Sequence, residues 1–295
     1  DHWMSGVAAL PAARAWGVPH VQSFHSVAAL PGSPLAEGEP PESPARVPGE
    51  RLVAAESDSV VAISAAEART VYERCGGDPS RIMIVSPGVD GELFHSRADP
   101  SWVPPTTNPR GFLLFAARLQ PLKGPDLAIG ALAEVPEELR PDLVIAGDVS
   151  VDFAPYFAEL KALVRRHGLT DRVHFIGPLS RTGLADMMRG ARMTLVPSHS
   201  ETFGLIALES ASCGTPVIAS AAGGLREAVV HGETGQLMDS RQAGDWGTAI
   251  TRLLAKPVVL ERMGVVAQIH ARRFNWAWAA RRLEWCYQSL IEERA

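Results

Sequence analysis

The strongest constraint on this chain is a repeating alternation of short aliphatic runs and helix-length amphipathic stretches. The runs fall at 20–24, 59–63, 82–85, 112–116, 143–146, 173–176, 193–196, 216–220 and 235–238. Helical periodicity fills 65–75, 125–135, 155–167, 182–189, 204–213 and 243–255. Strand, helix and strand in series build βαβ units and therefore parallel sheets. Runs such as 143–146 carry apolar residues at consecutive positions, so helices must cover both faces of each sheet. The class is α/β, and 295 residues at about 150 per domain give roughly two domains.

The alternation lapses twice. Residues 96–109 hold Pro100, Pro104, Pro105 and Pro109 amid polar filler, which reads as an inter-domain linker. Residues 31–48 hold Pro31, Pro34, Pro40, Pro41, Pro44 and Pro48, a length typical of binding or mobile loops. Six strand–helix units follow the first lapse, whereas only three strands precede it, so the first half reads as beginning inside a domain. The expected organisation is 1–107 as an incomplete N-terminal domain, 108–274 as a C-terminal domain and 275–295 as a helix returning to the first. In that helix Trp276, Ala280, Leu283, Tyr287 and Leu290 form one apolar stripe, while Trp278 and Trp285 lie on a second. So apolar a helix predicts burial against more than one surface.

Composition removes several classes. A net charge of -5 argues against nucleic acid or an anionic membrane as the main partner. No apolar run reaches the ~18 residues of a membrane span, and the start lacks a basic, apolar leader. The thiols Cys75, Cys213 and Cys286 are odd in number without CxxC spacing, which suits reduced cysteines in a cytoplasmic protein. The histidines show no HExxH spacing, so no metal site is expected. No GxGxxG, P-loop or GxSxG pattern occurs.

The richest segment is 196–209, where a strand ends, a polar loop follows and a helix begins near Gly204. A helix N-terminus at the carboxyl end of a parallel strand suits a phosphate. Glu201 and Glu209 are about 12 Å apart along a helix, near the spacing of sugar and ribose in a nucleotide sugar. A loop acid plus a capping acid is the plainer alternative. After the strand at 112–116, Arg118 and Lys123 can converge on one diphosphate, Arg as a fork and Lys as a point charge. Gly223 and Gly224 allow close backbone approach or a plain tight turn. His25, at the carboxyl edge of the first strand, is placed to meet a sugar hydroxyl, with a structural role as the alternative.

Arg118, Lys123-Gly124, Glu201-Thr202-Phe203-Gly204, Glu209, Cys213 to Pro216 and Gly223-Gly224 together resemble the retaining glycosyltransferases of family four, which have two Rossmann-like domains facing across a cleft in the GT-B arrangement. The likeness spans nearly the whole chain, including Trp3 to Gly6, Phe24 to Ser26, Val47 to Glu50 and Ser86 to Asp90, and is strongest toward members acting on cyclitols. It implies that Arg118 and Lys123 hold the diphosphate of a UDP-sugar and that Glu209 takes the ribose. Glu201, with the backbone of Phe203, Gly204 and Leu205, holds the donor sugar, and Ile176 and Gly177 read the uracil. His25 meets the donor's C6 hydroxyl, and His2, Ser26 and Arg46 contact the acceptor. It implies hexosyl transfer of GlcNAc or glucose to an inositol phosphate or aminocyclitol without a metal or other cofactor, and is compatible with a homodimer. His2 replaces a tyrosine of those members, and Leu30-Pro31-Gly32 replaces a loop carrying lysine, which weakens the case for a phosphorylated acceptor. A UDP-sugar-binding remnant and a nucleotide-sugar epimerase of the same fold are the competing readings.

Overall fold

Consecutive β-branched and aliphatic residues cannot place a polar face toward water, so each such run is drawn into the middle of a layered sheet. The computed structural model describes residues 2–28, 43–97 and 99–293. It divides into two units, one of 1–88, 201–203 and 274–295, the other of 89–200 and 204–273.

In the first unit β1 (Val21–Ser23), β2 (Ser59–Ala62) and β3 (Ile82–Ile84) form a parallel sheet in the order β1-β2-β3. Around it lie α1 (Trp3–Trp16), α2 (Arg46–Glu56) and α3 (Ala65–Cys75). Leu10, Phe24, Val53, Val60 and Val71 fill its core. The sequence does not announce α1, because Gly6, Pro11 and a run of alanines blur its period and Pro11 removes an internal hydrogen bond. The proline-rich loop ends sooner than its composition suggests. Pro48 lies in the first turn of α2, where a missing N–H costs nothing. Residues 31–42 of that loop, with Leu30, lie outside the described residues.

The second unit holds β4 (Phe112–Ala116), β5 (Asp142–Ala146), β6 (Val173–Gly177), β7 (Met193–Val196), β8 (Val217–Ser220) and β9 (Gly235–Met238). All pairings are parallel and the order is β6-β5-β4-β7-β8-β9. Its helices are α4 (Pro125–Ala133), α5 (Ala154–Arg166), α6 (Arg181–Gly190), α7 (Leu205–Ser212), α8 (Leu225–Ala228), α9 (Ala243–Leu254) and α10 (Pro257–Ala271). Leu113, Phe115, Leu143, Ile145, Leu195 and Ile218 of the strands pack with Ile129, Leu132, Trp246 and Ile250 of α4 and α9. Each such buried aliphatic side chain contributes about 1.5–3 kcal/mol.

The stretch read as a linker belongs to the second unit. Trp102 packs against Phe112 with the rings tilted and 6.4 Å apart, and Asn108 Nδ2 donates to Asp142 Oδ1 at 2.8 Å. Thr106 and His174 also bond Asp142. Burial alone would raise that carboxyl, but the donors from Thr106, Asn108, His174 and Arg172 hold it below the usual range.

The last helix, α11 (Trp276–Glu292), groups with the first unit. Ala279 and Leu283 pack with Val61 and Val85, and Cys286 Sγ donates to Ser59 Oγ at 3.7 Å. The expectation that both aromatic stripes are buried fails. Trp276, Trp278 and Trp285 are 55%, 42% and 63% exposed. The helix buries Ala279 and Cys286, with Leu283 half-buried between them, a choice that periodicity alone cannot make because Ala and Cys weigh little beside Trp. All three cysteines are free and buried, and burial pushes Cys75 up to about 11 and Cys213 up to about 12, which makes those two thiols inert at neutral pH.

Candidate nucleotide-sugar site

Counted within its own unit, the second sheet runs 3-2-1-4-5-6. Successive strands step outward from β4 through β5 to β6, and then from β7 to β9. The loops leaving β4 and β7 therefore diverge at their carboxyl ends, the switch point where doubly wound sheets bind ligands. Arg118 and Lys123 lie on the loop after β4, and Ser198 to Gly204 follow β7. These loops touch, because His199 N–H donates to the Leu122 carbonyl at 2.8 Å. Gly124 has φ +68°, and a Cβ there would stand 2.4 Å from the Pro197 carbonyl. Arg241 pins the neighbouring strand ends by donating to Pro197 O at 3.0 Å and Ser220 Oγ at 3.3 Å.

Gly124→Ala should therefore destabilise the fold by about 1–3 kcal/mol for the left-handed backbone alone, with a further cost from the carbonyl clash. Thermal unfolding checks it, and an unchanged Tm would show that the two loops do not approach this closely.

Two helices open onto this edge without a side-chain cap. Gly124 precedes α4, and Gly204, with φ +96°, precedes α7. Uncapped N–H groups and the helix dipole favour an anion there. On the far side of β4, Gly147 N–H donates to the Gly177 carbonyl at 2.9 Å, so Ile176 and Gly177 at the end of β6 stand beside the end of β5. A Cβ on Gly147 would lie 1.8 Å from the Ala117 carbonyl, which keeps that loop against the residues around Arg118.

Glu209 lies in the second turn of α7, with its side chain 15% exposed. Burial pushes its carboxyl up to about 7, and the Arg181 charge only partly offsets this. Arg181 NH2 stands 3.9 Å from Glu209 Oε1, with its guanidinium over the Phe94 ring at 5.4 Å. Sequence reading missed Arg181. The cap supplied by Ser180 to Gly183 N–H would have placed it at the head of α6, but its nearness to Glu209 is a tertiary fact.

The first unit holds the remaining candidates. His25 is the only non-glycine residue with positive φ among the described residues, at +60°, a backbone state that carries strain. Arg46 NH2 donates to Ser26 Oγ at 3.1 Å, and its Nε donates to the buried Glu50 at 2.9 Å. Glu50 also accepts the Ala28 N–H. Ser26 and Arg46 are thus brought together and held. His2, at the head of α1, has a buried Nδ1 without a hydrogen-bond partner among the described residues. Glu201–Phe203 groups with this unit although its chain neighbours belong to the other. Ser64 Oγ donates to the Thr202 carbonyl at 2.7 Å, and Phe203 packs edge-on against Phe274 at 5.7 Å. That buries the Phe203 side chain and leaves its role, if any, to the backbone. Sequence reading missed Ser64 and Glu67, although their Ser-x-x-Glu spacing is a legible capping box.

A doubly wound sheet with cations after one switch-point strand and a half-buried carboxylate on the helix after the other defines a nucleotide-binding domain of Rossmann type, accompanied here by a second parallel α/β unit. Residues 101–269 match the family model described as glycosyl transferases group 1, and residues 1–88 match that of the glycosyl transferase 4-like domain. The chain belongs to this glycosyltransferase family, family four, whose fold is GT-B. It is 42% identical over 291 residues to the D-inositol 3-phosphate glycosyltransferase of Thermomonospora curvata, covering 93% of this chain and 67% of that one. The D-inositol 3-phosphate glycosyltransferase of Kribbella flavida is 38% identical, with 100% of this chain and 71% of that one covered. Among solved structures, sucrose-phosphate synthase from Thermosynechococcus elongatus is 26% identical with a TM-score of 0.85, covering 99% of this chain and 73% of that one. Anabaena Alr3699/HepE in complex with UDP and glucose shares the fold at 22% identity and a TM-score of 0.81, covering 98% of this chain and 76% of that one. No helix among the described residues is long and apolar enough to cross a membrane.

Proposed function

We propose that this chain transfers a hexosyl group, GlcNAc or glucose, from a UDP-sugar to a hydroxyl of a cyclitol with retention of anomeric configuration. The observation that carries the reading is the second unit's switch point. Two cations, two uncapped helix starts and one half-buried carboxylate serve the touching loops after β4 and β7 and the helix that follows. In this reading Arg118 and Lys123 take the diphosphate and Glu209 the ribose hydroxyls. Ile176 and Gly177 present backbone to the uracil. Glu201, with the backbone of Phe203, Gly204 and Leu205, holds the sugar, and His25 meets its C6 hydroxyl. His2, Ser26 and Arg46 form the acceptor side.

The acceptor oxygen attacks the anomeric carbon on the face that UDP leaves. The bond from that carbon to phosphate oxygen breaks, and the acceptor proton passes to the departing phosphate. The dominant contribution is electrostatic, with preset cations and helix N–H groups meeting the charge that develops on UDP. The relatives' names support an inositol phosphate acceptor. Leu30-Pro31-Gly32, in place of the lysine-bearing loop that the resemblance leads one to expect, favours comparison with unphosphorylated aminocyclitols. The inert buried thiols suit a cytoplasmic setting.

The test is UDP release from UDP-GlcNAc and UDP-glucose with inositol 3-phosphate, inositol and 2-deoxystreptamine. Release that needs an acceptor supports the reading. Sugar interconversion without acceptor would point instead to an epimerase, and UDP binding without turnover to a binding protein.

A further inference from the structure

Arg46 and Glu50 of α2 form an ion pair in the wrong order for helix stability. Arg46 is the first residue of the helix, where a cation opposes the dipole, and Glu50 stands one turn further in. The Glu50 side chain is 2% exposed and that of Arg46 15%, so both groups have also given up water. Burying such a pair adds little to a fold, because the lost hydration offsets the attraction. Helix stability therefore does not explain why the two charges are there.

Their other contacts do. Glu50 Oε1 accepts the Arg46 Nε–H at 2.9 Å and the Ala28 N–H at 2.9 Å, and its Oε2 stands 3.2 Å from the same Ala28 nitrogen. Arg74 of α3 donates to the Ala28 carbonyl. Ala28 is thus gripped through both its N–H and its carbonyl. At the near end of the same turn, Phe24 is 1% exposed in the core of the first unit. Between these two fixed ends lie His25 and Ser26. The left-handed backbone of His25 persists only if its neighbours hold it. The Ser26 hydroxyl accepts from Arg46 NH2 at 3.1 Å. One buried carboxylate therefore holds both a guanidinium and the turn which that guanidinium touches.

We propose that Glu50 is a positioning residue for the acceptor side. It fixes Arg46 through the guanidinium Nε–H and Ser26 through the Ala28 N–H, so that the two meet an acceptor in one preset arrangement. Groups ordered beforehand spare the acceptor the cost of ordering them on binding. The role in acceptor binding rests on the function proposed above; the grip of Glu50 on Arg46 and Ala28 does not.

Glu50→Gln keeps the shape and one acceptor oxygen and removes the charge. With whichever of inositol 3-phosphate, inositol and 2-deoxystreptamine supports UDP release, it should raise the acceptor KM about tenfold, the scale of one charge-assisted hydrogen bond. UDP affinity should stay within about twofold, because the residues assigned to UDP belong to the second unit. In an Arg46→Met background the same change should cost less than about threefold. Equal losses in both backgrounds, or a matching loss of UDP affinity, would reduce Glu50 to a structural cap and overturn the proposal. The Arg46 Nε–H resonance of the full chain, prepared with isotope-labelled arginine, reads the pairing without turnover. Glu50→Gln should shift that resonance and speed its exchange with water, and an unmoved resonance overturns the pairing. Should this variant fail to fold, Glu50→Asp, which keeps the charge on a shorter side chain, is read in the same ways. Absence of turnover on every acceptor, with the resonance responding as expected, would overturn the function proposed above and sustain the grip of Glu50 on Arg46.

Discussion

Lys123→Ala and Arg118→Ala should each lower kcat/KM for UDP-sugar-dependent transfer by about 10²–10³, the usual cost of removing one preset donor aimed at developing charge. The reason is placement. Both side chains leave the loop after β4, at the switch point of the sheet, where α4 and α7 also begin without side-chain caps. In the proposed mechanism, departing UDP gathers negative charge on its outer phosphate, and a cation already held nearby stabilises that charge without reorganising. Lys123→Arg should recover only part of the loss, because a planar fork and a compact ammonium do not fill the same space. UDP release at saturating acceptor, together with calorimetric UDP binding, separates the steps. Binding and turnover near wild type in both alanine variants would remove the switch point from the mechanism.

Glu209→Gln should stabilise the fold and weaken donor binding, and both effects depend on pH. Burial lifts the carboxyl from 4.5 to about 7. A raised folded-state value means that the fold favours the protonated form. Its stabilising contribution is complete below about pH 4.5 and is lost as the pH rises through about 7. At pH 8 the ionised group costs the fold about 3 kcal/mol, and glutamine removes that cost. The variant should melt several degrees above wild type at pH 8, with the gap closing by pH 5. If Glu209 takes the ribose as proposed, its UDP affinity at pH 8 should fall about tenfold, because an amide then replaces a charged acceptor of the ribose hydroxyls. In wild type, UDP affinity should weaken as the pH drops below about 7. Opposite signs in stability and binding mark a residue retained for function. A gain in both would show that Glu209 touches no ribose.

Much of this was legible in advance because parallel strands announce themselves. The run at 112–116 coincides with β4, whose Phe-Leu-Leu-Phe is fully buried, since a strand covered on both faces needs apolar residues in succession. The helices that escaped notice have reasons. Trp3–Trp16 carries a proline and many alanines, and Pro257–Ala271 is apolar on several sides. In the candidate site, Arg118, Lys123 and Glu209 were readable as polar residues at strand ends and helix starts. Arg181 was not, because only the packing of α6 beside α7 brings a guanidinium within 3.9 Å of Glu209.

By itself the sequence determined the parallel α/β class, the strand positions and which loops carry cations and acids, because these follow from local pattern and periodicity. The tertiary structure decided what those residues meet. Strand order made two loops neighbours, burial carried one carboxyl to neutral pH, and the last helix turned its alanine and cysteine inward while leaving three tryptophans in solvent. Such outcomes depend on partners distant in the chain, and no local window contains them.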